Sequence, residues 1–247
     1  MNSTPEAERE IVHGRRLAEG DTERIWGWGT PAGRLRAIRR AELIARGAGL
    51  GPGVRALEIG CGTGTFTEMF AQTGADLLAV DISGELLERA RARPIPSDRV
   101  RFLEGPFEES AVDGPFDAVI GSSVLHHLDV RVALTRIHAL LTVGGRLCLA
   151  EPNMLNPQVF LERRFRRWLS YVSPDETAFV RWRLHSLLAV IGFAQISITP
   201  FDWLHPATPC PLIPVVQRMG RWLEQTPGLR ECAGSLLIRC RREDIRE

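Results

Sequence analysis

The sequence predicts an α/β fold in which a mostly parallel sheet carries helices on both faces. Short apolar runs alternate with stretches of helical periodicity through the middle of the chain, which is typical of βαβ units. The runs are apolar on both faces, as expected for strands that helices cover on each side. The 247 residues suffice for one large domain with a substantial core. The predicted strands are Arg55–Ile59, Leu77–Asp81, Val100–Leu103, Phe116–Gly121 and Gly145–Ala150.

Helices are predicted before and between these strands. Pro31 suits a first helical turn and opens an amphipathic helix that reaches about Arg46. Its arginines, Arg40 among them, interleave with apolar residues such as Leu35 and Ile38. Asp129 is a plausible N-cap for the last helix between the strands. Those helices are predicted at Thr65–Gln72, Gly84–Arg93 and Val130–Leu141.

The alternation becomes irregular after the fifth strand. We therefore divide the chain into an N-terminal helical lid segment, 1–50, and a core, 51–247, with insertions at about 152–173 and 201–231. Two helices are expected first, then a sixth strand, a helix and a final strand. Their ranges are 157–172, 174–192, Ala194–Thr199, Val215–Glu224 and Ser235–Cys240.

Composition narrows the classes of function. Thirty-one basic residues balance thirty acidic ones, so no global charge favours nucleic acid. Every basic residue is arginine, which excludes a lysine base or Schiff base. The five cysteines are scattered without a Cys-x-x-Cys pair, the first residues do not resemble a signal peptide, and no apolar stretch could span a bilayer. We expect a reduced, cytoplasmic protein.

A glycine-rich turn after the first strand is the strongest functional signal. Residues 57–64 read Leu-Glu-Ile-Gly-Cys-Gly-Thr-Gly, and Asp81 ends the next strand. Glycine permits a sharp turn and close approach of a ligand to the main chain. A carboxylate about 20 residues further on suits a ribose diol, so we predict an adenosine-containing cofactor. A dinucleotide is disfavoured because Thr65 or Thr67 stands where its third glycine is needed.

The pattern Glu58-x-Gly60-x-Gly62-x-Gly64 resembles motif I of the class I S-adenosylmethionine-dependent methyltransferases. The resemblance covers about residues 54–153. It implies a Rossmann-like, seven-stranded, mostly parallel sheet with an antiparallel last strand, and S-adenosyl-L-methionine as cofactor. Gly105-Pro106 replaces a Gly-Asp common in the family, so main chain and Phe107 are expected to contact the adenine. The cofactor-binding residues implied are Glu58, Gly60, Cys61, Gly62, Gly64, Asp81, Ile82, Gly105, Phe107 and Ser122.

A histidine pair follows the fourth strand. The segment 116–128 resembles the family's fourth-strand motif but lacks the Asp-Pro-Pro-Tyr of enzymes that methylate base amino groups. In small-molecule O-methyltransferases a histidine at this place is the general base, so the resemblance makes His126, and next His127, the catalytic candidates. The alternative is structural, with one histidine capping a helix and the other packed against the core.

Four further residues are expected at the substrate. Glu151 and Asn153, in a Glu-Pro-Asn sequence after the fifth strand, could orient a hydroxylated acceptor or form a turn. Trp26 and Trp28 lie in a glycine-rich segment that could close over the carboxyl edge of the sheet.

The helix predicted at 157–172 has an apolar face and an arginine-rich face. It could meet an anionic substrate or a membrane surface, or it could be a solvated lid helix. We expect no metal and no nucleic acid, and the oligomeric state stays open.

The resemblance implies methylation of a small-molecule hydroxyl on a sugar, polyketide or lipid-linked metabolite. Two alternatives remain at this stage. One is a C-methyltransferase that acts on a quinol or enol, and the other is a regulatory protein that binds the cofactor without catalysis.

Overall fold

The computed structural model describes residues 12, 14, 15, 20–164 and 178–244. Within these ranges the chain forms one seven-stranded sheet in the order β3-β2-β1-β4-β5-β7-β6. Strand β7 lies between β5 and β6 and runs antiparallel to both, while the other pairings are parallel. The predicted fold class is confirmed. The strands are β1 Arg55–Ile59, β2 Asp76–Asp81, β3 Val100–Glu104, β4 Phe116–Ser122, β5 Leu141–Pro152, β6 Phe193–Phe201 and β7 Ser235–Arg242.

Several helices of the described ranges begin at a capping side chain. The Thr30 side chain accepts a hydrogen bond from the Gly33 N–H, and Asp129 accepts from the N–H groups of Arg131 and Val132. A single 3-10 turn, Leu125–His127, carries the histidine pair. The helices are α1 Thr22–Ile25, α2 Pro31–Ala48, α3 Thr65–Ala71, α4 Gly84–Arg91, α5 Val130–Leu140, α6 Pro157–Arg164, α7 Arg181–Ile191 and α8 Ile213–Gln225.

Both faces of the sheet are buried, which explains why its strands are apolar on both sides. Val119 of β4 faces a core completed by α5 and α7, whereas its neighbours Ala118 and Ile120 face a core completed by α2 and α3. Each helix layer removes apolar surface from water and leaves only the ends of the strands open. The carboxyl ends of the parallel strands are therefore free to form a site.

The buried face of α2 differs from the prediction. Leu35 and Ile38 are 39% and 47% exposed, whereas Arg40 is only 3% exposed. The reason is geometric, because the stripe that meets the sheet passes through Ala37 and Ile44 at helical spacing and includes position 40. Arg40 therefore lies on the buried stripe of the helix, whereas Leu35 and Ile38 lie outside it.

The late segments are described only in part. Helix α6 is described from Pro157 to Arg164, and residues 165–177 lie outside the described ranges. Beyond Arg164 the predicted basic helix 157–172 therefore stays a prediction. The next helix, predicted over 174–192, was placed too early, because Phe179 forms a β-bridge with Asn153, Val180 is extended and α7 begins at Arg181. No helix among the described residues is long and apolar enough to cross a membrane.

Candidate active site

A cavity of about 1090 Å³ opens at the carboxyl edge of the sheet. Loops after β1, β2, β3, β4 and β6 line it, together with the N-terminal segment and α6. This is the edge where open α/β sheets bind their ligands. The predicted site residues that line the cavity are Trp26, Trp28, Gly60, Cys61, Gly62, Asp81, Ile82, Gly105, Phe107, Ser122, His126 and His127.

The glycine loop forms a cradle of bare main chain. Gly60 and Gly62 have φ of +64° and +53°, which side chains rarely adopt. A Cβ on Gly60 would stand 2.3 Å from Cγ2 of Val124, and a Cβ on Gly62 would stand 3.0 Å from the Trp26 ring. The loop thus has no room for a side chain at Gly60 or Gly62, and Trp26 borders it at Gly62.

Gly64 does not line the cavity. Its φ is +75°, it precedes α3, and an added Cβ would lie 2.9 Å from Cβ of Ala90. Close packing of the loop against α4 therefore explains this glycine. The expected direct contact of Gly64 with the cofactor is replaced by a role in shaping the loop.

Asp81 joins the tip of β2 to the glycine loop. Its Oδ2 accepts a 2.7 Å hydrogen bond from the Gly62 N–H, and its Oδ1 accepts a 2.9 Å bond from the Ser83 N–H. Asp81 also lines the cavity, where a carboxylate can accept hydrogen bonds from two hydroxyls side by side. The same side chain can hold the loop and receive a ribose diol.

Glu58 lies behind the glycine loop and does not line the cavity. It is 2% exposed, and burial raises its pKa to about 8, with a lowering contribution from Thr67 and a raising one from Asp81. Within the described ranges its Oε2 makes no well-formed hydrogen bond. The expected direct cofactor contact is corrected, since Glu58 can act on the cofactor only through the loop.

The loop after β3 forms the wall expected for the adenine. Phe107 is 4% exposed, and the Arg136 guanidinium lies 5.5 Å from its ring centroid, so most of this ring is core. Gly105 has φ +148°, and an added Cβ would lie 2.7 Å from Oγ of Ser110. Gly105 and Phe107 still reach the cavity together with Ile82.

His126 and Glu151 form a buried dyad beside the cavity. Nδ1 of His126 lies 2.7 Å from Oε2 of Glu151, whose Oε1 accepts hydrogen bonds of 3.0 and 2.9 Å from the N–H groups of Val124 and Leu125. Burial alone would raise the pKa of Glu151, but the His126 hydrogen bond and charge and the two N–H donors hold it below its usual range. Because the ionised carboxylate can only accept a hydrogen bond, it favours the His126 tautomer that carries its proton on Nδ1 and a lone pair on Nε2.

Two expected substrate contacts are corrected by this geometry. Glu151 is fully buried and does not line the cavity, and its oxygens are engaged by His126 and the main chain. Asn153 is also fully buried, and its Nδ2 donates to the carbonyls of Glu231 and Ala233 at 2.8 and 2.7 Å. Asn153 therefore fixes the turn before β7 and does not face a substrate.

His127 does line the cavity, and its ring centroid is 4.2 Å from that of His126. The predicted pair therefore divides into one histidine in a carboxylate dyad and one stacked beside it at the cavity wall.

The N-terminal segment is bound to the far side of the glycine loop. Glu23 of α1 pairs with Arg93 and accepts a 3.1 Å hydrogen bond from Oγ1 of Thr65. Trp28 packs edge-on against Phe66, with ring centroids 5.3 Å apart. These contacts hold both tryptophans of the segment at the cavity.

Several lining residues were not predicted. Arg36 and Asp202 form an ion pair at 2.8 Å in the wall, and Trp203 lies beside them. The available signal was weak, because Trp203 stands in an irregular stretch with no motif. The further lining residues from these late segments include Asn156, Gln158, Val159, Leu204, His205 and Pro206.

The residues present fit S-adenosylmethionine. At Gly60 there is no space for a side chain, so the main chain is bare there. Together with the carboxylate of Asp81 and the apolar side chain of Ile82, this lining matches a slim adenosyl ligand without phosphates. No three His, Cys, Asp or Glu side chains of the described residues gather in a metal-binding group.

Comparisons with known proteins identify the family of the chain. A family model described as "Methyltransferase domain" matches residues 57–149. The ubiquinone biosynthesis O-methyltransferase of Xanthomonas axonopodis pv. citri (strain 306) is 34% identical over 162 residues, which are 62% of this chain and 67% of that protein.

Two solved structures share the fold. The N-methyltransferase NodS from Bradyrhizobium japonicum, in complex with S-adenosyl-L-homocysteine, has a TM-score of 0.65 at 18% identity, with 95% of this chain and 98% of that chain covered. A possible histamine N-methyltransferase from Thermotoga maritima has a TM-score of 0.68 at 17% identity, with 94% and 100% covered. The glycine loop, the matched domain and the similarity to the Xanthomonas enzyme together lead to one conclusion: this chain belongs to the class I S-adenosylmethionine-dependent methyltransferases.

Proposed function

We propose that this methyltransferase acts on a hydroxyl oxygen of a small molecule and that His126 is its general base. The observation that carries the proposal is the buried Glu151–His126 dyad at the cavity, with its 2.7 Å contact between Oε2 and Nδ1. A base oriented by a carboxylate on its other nitrogen is a recurring arrangement for taking a hydroxyl proton.

The cofactor supplies a methyl group already activated on a sulfonium. Asp81 would receive the ribose hydroxyls, and the bare main chain at Gly60 and Gly62 would leave room for the methionine part. Ile82 and Phe107 would border the adenine. The remaining task of the protein is to align an acceptor with this methyl group and keep water out.

Nε2 of His126 is the atom that would take the acceptor proton. Because the Glu151 carboxylate holds Nδ1, the ring can become an imidazolium without turning. The low pKa of Glu151, set by His126 and two backbone N–H groups against its burial, keeps the stabilising charge in place.

The acceptor half of the cavity favours an apolar, aromatic compound that carries a hydroxyl group. Trp26, Trp28 and Trp203 line the cavity together with Leu128 and Val132, and we assign Trp28 and Trp203 to its acceptor half. A phenolic hydroxyl has a pKa of about 10, which brings its proton within reach of a histidine base. The name of the Xanthomonas relatives, ubiquinone biosynthesis O-methyltransferase, adds weight to oxygen as the methylated atom.

Transfer of a deuterated methyl group tests the proposal. The full chain is incubated with methyl-deuterated S-adenosylmethionine and a panel of catechols, phenols, sugars and enols, and products are located by mass spectrometry and NMR. We expect a methyl group on an aromatic oxygen, and much less product with Glu151→Gln. Methylated carbon would instead identify a C-methyltransferase, and cofactor binding without any product would favour a regulatory protein.

A further inference from the structure

Arg40 is a charged side chain in the core that the proposed reaction does not use. It is 3% exposed, and burial lowers its pKa to about 10, so the guanidinium stays protonated at neutral pH. Its Nε has no hydrogen-bond partner in the described part of the chain. A buried charge is costly unless its contacts compensate it, so what this guanidinium holds is informative.

The guanidinium joins three strands at the carboxyl edge of the sheet. Nη1 donates to Oγ of Ser123 at 2.9 Å, Oγ of Ser122 at 3.2 Å and the carbonyl of Ala150 at 3.4 Å. Nη2 donates to Oγ of Ser235, at the start of β7.

Two aromatic rings flank the same guanidinium. The Trp28 and Phe201 centroids lie 5.4 and 5.6 Å from its Cζ. Since Trp28 lines the cavity, Arg40 connects the cavity wall to the ends of the strands.

The residues that Arg40 contacts are direct neighbours in the chain of those that form the dyad and bond to it. Ser123 has φ +57°, a conformation that is costly for a residue with a side chain and needs support from its surroundings. The next two residues, Val124 and Leu125, donate their N–H groups to Glu151, which itself follows Ala150. Arg40 thus binds both chain segments that meet at the carboxylate of Glu151.

We propose that Arg40 is a positioning residue, whose guanidinium fixes the turn after β4 and the end of β5 so that Glu151 keeps the His126 proton on Nδ1. The inference rests on the proposed function, in which Nε2 of His126 takes the acceptor proton. It predicts that Arg40 controls both the tautomer of His126 and the pH at which His126 protonates.

The other charged groups near the dyad do not replace Arg40. Arg36 and Asp202 pair with each other, and His127 stacks on His126. Asp129 and Glu108 also line the cavity and interact with each other. Loss of the Arg40 charge would leave the Glu151 charge dominant and favour the imidazolium form of His126.

Histidine side-chain NMR on the full chain tests this without any acceptor. Long-range proton–nitrogen spectra report tautomer and titration, with His126 assigned through His126→Gln. The variants are Arg40→Met and Arg40→Lys. Arg39→Met is the matched control, because Arg39 lies on the same helix as Arg40 but binds Glu224 instead, at 2.6 and 2.8 Å. We expect Nδ1–H in the unaltered protein and in Arg39→Met. In Arg40→Met we expect a mixture of tautomers and a higher titration midpoint for His126.

The variants also separate hydrogen bonding from charge. Arg40→Lys keeps the charge but cannot reach all four acceptors, so we expect the mixed tautomer with a nearly normal midpoint. If Arg40→Met does not fold, Arg40→Lys and Ser235→Ala decide on the tautomer alone. An unchanged His126 tautomer and midpoint in folded Arg40 variants would overturn the proposal. A changed tautomer together with a His126→Gln enzyme that still methylates at the normal rate would uphold the positioning role and reject the base.

Discussion

The two halves of the cavity are built in different ways. The cofactor half, formed by Gly60, Gly62, Asp81, Ile82 and residues 105–107, comes from three successive strand ends and presents much bare main chain. The acceptor half comes from side chains of distant segments: the N-terminal segment, the turn after β4, α6 and the loop after β6. The difference implies that cofactor affinity and methyl-transfer chemistry can be damaged separately.

We expect the largest difference between the effects on methyl transfer and on cofactor affinity from a substitution in the acceptor half. Glu151→Gln places an amide against Nδ1 of His126 and favours the wrong tautomer, so single-turnover methyl transfer should fall by about 10³–10⁴-fold while cofactor affinity stays unchanged. Glu231→Gln is the control, since Glu231 pairs with Arg181 outside the dyad. Full activity of folded Glu151→Gln would show that the dyad does not take the proton.

The second prediction concerns protein stability and Glu58, which lies behind the glycine loop of the cofactor half. Burial raises the pKa of Glu58 to about 8, so the folded state binds more protons than the unfolded state between about pH 4.5 and 8. The free energy of unfolding should therefore fall as pH rises through this window, by on the order of 5 kcal/mol from this group. Above the folded pKa the whole penalty is present.

Chemical denaturation across this pH range, compared with Glu58→Gln, isolates that contribution. The variant should lose the corresponding slope, whereas the exposed control Glu42→Gln should keep it. The same pH dependence in Glu58→Gln and in the unaltered protein would contradict the assignment.

Asp81→Ala should mainly weaken cofactor binding. Loss of charge-assisted hydrogen bonds to the ribose and to the loop should cost about 1.5–3 kcal/mol of affinity for S-adenosylhomocysteine in calorimetry. Asp76→Ala, at the exposed amino end of the same strand, is the control and should bind normally. Unaltered affinity in folded Asp81→Ala would remove the ribose assignment.

The smallest effect is expected where the two halves meet. The N-terminal segment contacts both the glycine loop, through Trp26, and the acceptor wall, through Trp28. Amides of residues 20–35 should exchange more slowly with S-adenosylhomocysteine bound than without it, by mass spectrometry. Equal protection in both states would leave Trp26 and Trp28 as packing residues rather than parts of a lid.

The same contrast explains what could be predicted from the sequence. The glycine loop and Asp81 act through backbone geometry and fixed spacing along successive strands, so a local pattern suffices to find them. The seven-stranded, mostly parallel sheet and its antiparallel last strand followed from the family resemblance, and the structure confirms both.

The acceptor half depends on contacts between residues far apart in the chain, which no local pattern records. Glu151 and Asn153 were expected to face the acceptor, yet one orients His126 and the other holds a turn. The burial of Arg40 was not predicted, although its spacing from Ala37 and Ile44 places it on the buried stripe of α2.

The central claim is that cofactor binding and proton removal are performed by separate groups, with His126 responsible for the second. Single-turnover methyl transfer and cofactor affinity, measured on the same samples of the unaltered protein and His126→Gln with an acceptor from the hydroxyl panel, test it most directly. We expect the rate to fall by about 10²–10⁴-fold at unchanged affinity for S-adenosylmethionine. A normal rate in His126→Gln, or a loss of cofactor affinity that accounts for the lost rate, would contradict the account.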